Sequence, residues 1–289
     1  MTARKAPPEI FDNRLLRLRR ERASRRGDSF IVQRCAEDLA ERLQDINRQF
    51  QKALIIGSQD FLFALKAALP PEKIPVNIAH RPFADLNEIA APKAPIFGEG
   101  EYDLIVSALN LQAMNDLPGT LIQTRLALKP DGLFIGAMFG GETLSELRGA
   151  LYTADEAAYG GISPRVYPFA DYSQAAQLLQ RGGFALPVVD SDRFQVHYKN
   201  WRTLISDLRD MGGTNSLAQN KSKRFPLEKT NQAIAALSRD GKFSVSFEIL
   251  WLTAWCPHSS QQKPLAPGSA KMRLADALGT QEEKLPKTD

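Results

Sequence analysis

The sequence predicts an α/β fold, a mostly parallel sheet with helices on both faces. Three observations predict it. Ala53 to Ile56, Asp103 to Ser107 and Leu133 to Phe139 are short apolar runs without alternation, the composition of strands covered on both faces. Helical stretches stand between such runs. Gly57, Pro70-Pro71 and Lys129-Pro130-Asp131-Gly132 mark the stops and turns that separate them.

In chain order, Asp28 is expected to cap a cover helix from Ser29 to about Ile46, with Phe30, Ile31, Cys35, Leu39 and Leu43 near helical spacing. Ala53 to Ile56 then reads as strand, Gly57 as turn and Phe61 to Leu69 as helix. Pro75 to Ala79 is a weaker strand and Leu86 to Ala90 a helical fragment. Asp116 precedes Leu117 and Pro118, a helix start that runs to Leu128. Helices are further expected at Thr143 to Ala157, Tyr172 to Gln180, Trp201 to Met211 and Leu227 to Leu237, with Gly160 to Phe169 as loop. Phe184 to Val189 and Phe243 to Trp255 complete the strands. The organisation is then a helical cover at 1–50, a main domain at 51–256 with helical insertions at about 142–183 and 200–240, and a tail at 257–289.

At 289 residues, 43% hydrophobic and 24% charged, the chain is an ordinary globular one, which excludes collagen-like, coiled-coil and disordered classes. The longest apolar runs, Gly132 to Gly141 and Phe247 to Cys256, are about half of the ~20 residues that a membrane helix requires. Two cysteines, Cys35 and Cys256, make neither a disulfide framework nor a zinc site, and no apolar signal segment follows the first charges. A reducing cytoplasm is the expected compartment. The three histidines, His80, His197 and His258, have no metal-ligand spacing, so no metal is expected.

The net charge of +4 is local. Residues 1–26 carry +6 and the remainder −2, so any polyanion function rests on the first 26 residues. A docked helix is the simpler expectation there, with Ile10, Phe11, Leu15, Leu16 and Leu18 as its apolar stripe, and nucleic acid is not expected as a partner.

Glu101-Tyr102-Asp103-Leu104-Ile105-Val106-Ser107, Asn115-Asp116-Leu117-Pro118 and Leu128-Lys129-Pro130-Asp131-Gly132-Leu133-Phe134 resemble the fourth and fifth strands of class I S-adenosylmethionine-dependent methyltransferases. Three further stretches narrow the resemblance: Phe134 to Arg148, Gly160-Gly161-Ile162-Ser163-Pro164-Arg165, and Asp207-Leu208-Arg209-Asp210-Met211-Gly212-Gly213-Thr214-Asn215. They resemble the methyltransferase-like arginine hydroxylases that assemble respiratory complex I and, more distantly, the malonyl-carrier-protein methyltransferases of biotin synthesis. The resemblance runs from about Ile10 to Ala277. It implies a Rossmann-like, seven-stranded sheet, S-adenosylmethionine as cofactor and a complex I subunit as protein client. It places Gly57, Ser58, Asn77, Ser107, Leu109 and Asn115 at the cofactor and assigns no catalytic residue, while Glu142, after a strand end at the start of a helix, and Arg165, after Gly160, Gly161 and Pro164, are expected toward substrate by their positions.

The residues depart from that pattern where the cofactor would lie. Against the family's L-D-L-G-x-G-x-G, the chain reads Leu54-Ile55-Ile56-Gly57-Ser58-Gln59-Asp60-Phe61, so Ile55 replaces an acid and Gln59 and Phe61 replace glycines. Side chains then stand where backbone must approach ligand. Asn77 occupies the position of the ribose-binding carboxylate, and an amide supplies one acceptor and no charge. Gln112-Ala113 stands where relatives carry His-Trp. Two functions therefore stand side by side: an S-adenosylmethionine-dependent methyltransferase or related side-chain-modifying enzyme, and a non-catalytic assembly module with a degenerate cofactor site.

Overall fold

The computed structural model describes residues 9–27, 29–82, 98–218, 224–262 and 279. The chain divides into two units, Met1–Pro257 and His258–Asp289. In the second, the Gln261 amide donates to the His258 carbonyl at 3.3 Å in a local turn. The rest of the fold belongs to the first.

Six strands form one sheet among the described residues: β1 (Lys52–Ile56), β2 (Asn77–Arg81), β3 (Tyr102–Ala108), β4 (Leu128–Phe139), β5 (Ala185–Tyr198) and β6 (Phe243–Trp255). Their order is β2-β1-β3-β4-β6-β5. β2, β1, β3 and β4 pair in parallel, and β6 runs antiparallel to both β4 and β5. The three apolar runs form the adjacent strands β1, β3 and β4. Seven strands were expected and six are found; residues 83–97, which include the helical fragment expected at Leu86 to Ala90, lie outside the described residues.

The unalternating runs make sense once both faces are seen to be covered. Along β1, Ala53 and Ile55 enter one core with Cys35, Leu39, Phe61 and Leu147, whereas Leu54 and Ile56 enter the other with Leu121, Ala175 and Leu179. Each side chain is buried whichever way it points, so polar alternation has no place. The first core is covered by α2 (Phe30–Asp45), α3 (Gln59–Ala68), α5 (Ser145–Tyr159), α7 (Trp201–Asp210) and α8 (Leu227–Leu237), and the second by α4 (Leu117–Ala127) and α6 (Tyr172–Arg181).

Three local readings are corrected. α2 is capped by Ser29, without a side-chain bond, and Phe30 points outward while Val32 and Ala36 join its buried face. The turn expected at Lys129-Pro130-Asp131-Gly132 is an irregularity inside β4: the register with β3 shifts between Tyr102 and Leu104, and Asp131 takes a φ of 61°. β5 continues to Tyr198, well beyond Val189, because it pairs along nearly the whole of β6. Its alternating exposure is that of a strand with one covered face.

The basic N-terminal segment is folded as α1 (Asn13–Ala23), with the Asp12 carboxylate accepting from the Leu15 amide. Phe11, Leu16 and Ala23 are buried, whereas Ile10 and Leu18 are 46% and 37% exposed. The inward face is therefore 16, 20, 23, at helical spacing, in place of the expected run of leucines. Gly212, at a φ of +69°, fits α1 closely: a Cβ there would lie 3.1 Å from the Arg20 Cα.

Candidate ligand cleft

The chain leaves β1 toward β2 and leaves β3 toward β4, so the crevice outside the carboxyl ends of β1 and β3 is the switch point where such sheets bind ligands. A cavity of about 290 Å³ lies there. The turn Gly57 to Phe61 forms one wall, His80 and Pro82 a second, and Ala108, Leu109 and Gln112 a third. α1 closes it with Leu16, Arg17, Arg20 and Glu21.

Ser58 caps α3, its hydroxyl accepting from the Phe61 amide at 3.1 Å. That short cap turns the chain at once and aims the first turn of α3 at the cleft. Phe61 is fully buried, and its ring lies 3.5 Å from where a Gly57 Cβ would stand. Gln59 and Asp60 also line the cleft. At the end of β2 the His80 Nε2 lies 3.0 Å from the Gly57 carbonyl, so that carbonyl faces an imidazole.

Leu109 follows β3 in the left-handed region, at a φ of 51°. A branched side chain pays strain for that conformation, which marks the loop as one held by its surroundings. Its amide donates to Ala137 and its carbonyl accepts from Gln112 Nε2 at 2.7 Å. Asn110, fully buried, donates to the Ile56 carbonyl. Asn110 Oδ1 and Gln112 Oε1 are buried acceptors without a partner, and Gln112 opens on the cleft. Burial of Arg20 pulls its guanidinium down to about 10, still charged at neutral pH.

Gly57, Ser58 and Leu109 thus line the cleft, and the other sequence-predicted positions do not. Asn77 opens β2 at the end remote from Gly57 and is exposed, its amide reaching the Gln51 carbonyl. Ser107 is buried in β3 with its hydroxyl unpartnered. Asn115 holds the N-terminal arm: its Oδ1 accepts from the Ile10 and Phe11 amides, and its Nδ2 donates to the Phe11 carbonyl and Asn13. Glu142 is exposed and its amide donates to Glu248. Arg165 makes a bidentate pair with the fully buried Asp155 beside a second cavity. Gln112, singled out in the sequence for its place in the loop after β3, lines the cleft, whereas His80 and Arg20 line it without having been named as site residues. Among the described residues, no His, Cys, Asp and Glu side chains gather into a metal-sized cluster, and no helix is long and apolar enough to cross a membrane.

A mostly parallel sheet, its antiparallel penultimate strand and a cleft at the carboxyl ends of the central strands define the class I methyltransferase superfamily. No protein-family model matches the chain. It is 34% identical to the mitochondrial arginine-hydroxylase NDUFAF5 of Mus musculus, over 92% of this chain and 83% of that one, and 33% identical to that of Homo sapiens over the same shares. A malonyl-[acyl-carrier protein] O-methyltransferase of Xylella fastidiosa is 33% identical over 58% of this chain and 59% of that one. The chain belongs to the family of the arginine-hydroxylase NDUFAF5. These relatives are mitochondrial by name, which overturns the cytoplasmic location expected from two cysteines and a charged start. Cysteine content reports a reducing environment and does not tell one such compartment from another.

Proposed function

We propose that the chain is a protein-side-chain-modifying member of this superfamily that serves complex I assembly, with a cleft remodelled away from the usual pose of S-adenosylmethionine. The identity with arginine-hydroxylase NDUFAF5 across 92% of the chain carries the first half of that reading. The cleft residues carry the second. Among the described residues, the carboxyl end of β2 presents His80, Arg81 and Pro82 and no carboxylate; Gln59 and Phe61 occupy glycine positions; and α1 lies over the opening. The carboxylates that do line the cleft, Glu21, Asp60 and Asp210, come from α1, α3 and α7. The residues present therefore do not fit the cofactor in that pose. The same observations support the second reading, an assembly module that turns over no methyl donor.

Two measurements test the proposal separately. Calorimetry of the full chain with S-adenosylmethionine and S-adenosylhomocysteine is expected to give dissociation constants no tighter than about 1 mM. Micromolar binding of either would overturn the remodelled cleft. Cells lacking the chain are expected to lose assembled complex I, and an undiminished complex would overturn the assembly role.

A further inference from the structure

We propose that a second cavity, of about 600 Å³, is a binding site for a small molecule with an anionic headgroup on an apolar body. The cavity lies between α1, α5, α7 and the segment that carries Val166 and Phe169. Leu147 and Leu151 of α5 with Ile205 and Leu208 of α7 give it an apolar lining. That volume is in the range of sites that enclose most of a drug-sized ligand, roughly 300–1,000 Å³.

Its charge is one-sided. Five arginines line it and no Asp or Glu does. Two already have carboxylate partners: Arg165 on Asp155 and Arg26 on Asp210. Among the described residues, Arg19, Arg22 and Arg209 have none. Arg19 Nη1 is moreover buried without any hydrogen-bond partner. A guanidinium held like that, beside apolar carbon and poorly hydrated, is a strong donor to a carboxylate or phosphate, which its planar fork can engage by two bonds at once. An oxyanion at Arg19, Arg22 and Arg209 would meet complementary charge, and its alkyl or aryl body would cover the leucines.

This site is distinct from the cleft. α1 stands between the two, with Leu16 and Arg20 on the cleft and Arg19 and Arg22 on the cavity, and the ring of Tyr167 borders both. The inference is therefore independent of what the cleft binds.

The test is isothermal titration of the full chain with dodecanoate, dodecyl phosphate, dodecanol and dodecyltrimethylammonium, each below its micelle concentration. Both anions are expected to bind with one-to-one stoichiometry, and the alcohol and the cation to bind at least about tenfold more weakly. The tighter of the two anions identifies the headgroup, and either order supports the site. Arg19→Gln and Arg22→Gln are each expected to weaken anion binding about tenfold, while Arg14→Gln, which lines neither cavity, leaves it unchanged. Leu147→Trp, which fills the apolar part, is expected to abolish binding and serves if either arginine variant fails to fold. The proposal is overturned by equal binding of the alcohol, by anion affinities indifferent to Arg19 and Arg22, by no saturable anion binding, or by binding of an acidic hexapeptide in place of both alkyl anions.

Discussion

The cleft at the ends of β1 and β3 and the arginine-lined cavity share a wall, α1, yet they are built from opposite kinds of sequence signal. The cleft is made by turns that directly follow strands, so once the strands are placed its location follows. The cavity is assembled from α1, α5, α7 and the loops around 165 and 214, segments far apart in sequence. Nothing local announces it. A basic segment that reads as surface charge turns out to divide two cavities, because successive helical faces of α1 look into different spaces.

Breaking one cavity without the other would sharpen that comparison, and Asp155 offers the largest effect. Its carboxylate is 0% exposed and receives the Arg165 guanidinium by three bonds and the Ser163 amide by one. Asp155→Ala leaves a mostly buried cation unpaired. Such losses run to about 3–5 kcal/mol. The urea midpoint is expected to fall accordingly, and a shift under about 1 kcal/mol would show that Arg165 finds another partner or water.

Asn115→Ala tests the shared wall. The side chain makes four hydrogen bonds to the arm that leads into α1, two from backbone amides and two from its own NH₂ group. Their loss is expected to cost about 1–3 kcal/mol and to raise amide exchange in α1 first. Because α1 borders both cavities, ligand binding at both should weaken. Loosening felt at one cavity alone would mean that α1 is held independently of Asn115.

A smaller effect, dependent on pH, concerns Glu248 on β6, which braces the turn between β4 and α5. Burial pushes its carboxyl up, but the Glu142 amide, the Ser191 hydroxyl and Arg193 together outweigh that and hold it below its ordinary value of 4.5. A carboxyl depressed on folding stabilises the folded state above its unfolded value and loses that contribution as pH falls through the folded one. Stability is thus expected to drop on acidification below about 4.5, and Glu248→Gln should flatten that part of the profile. An identical acid limb in the variant would assign the drop to other carboxylates. The brace is also why Gly140 is glycine: a Cβ there would lie 2.5 Å from the Glu248 carboxylate.

How far the sequence could be read follows from what each signal requires. The runs at 53–56, 103–107 and 133–139 needed only composition, since burial on both faces leaves no polar alternation, with Asp103 and Ser107 as the polar residues at the ends of the second, and they are adjacent strands. Gly57 and Leu109 line the cleft because they directly follow β1 and β3. Asn77 was placed by matching a motif to a strand whose register was unknown, and the register sets it at the opposite end from the cleft. Asn115 was read as ligand-facing because its loop is, whereas its amide answers to an arm a hundred residues earlier. Long-range partners of that kind leave no mark on local spacing.

The smallest predicted effect separates the two readings of α1 itself. A stripe of consecutive leucines cannot share one face of a helix, since successive residues are about 100° apart. Leu16 is buried and Leu18, 37% exposed, points away from it. Leu18→Ser should therefore change stability by less than about 0.5 kcal/mol, as surface substitutions do. Leu16→Ala should cost about 2–5 kcal/mol, from lost burial and the void left beside Arg20. If Leu18→Ser proved as damaging as Leu16→Ala, the outward face of α1 would have to be covered in solution, and the partition between the two cavities would be thicker than one helix.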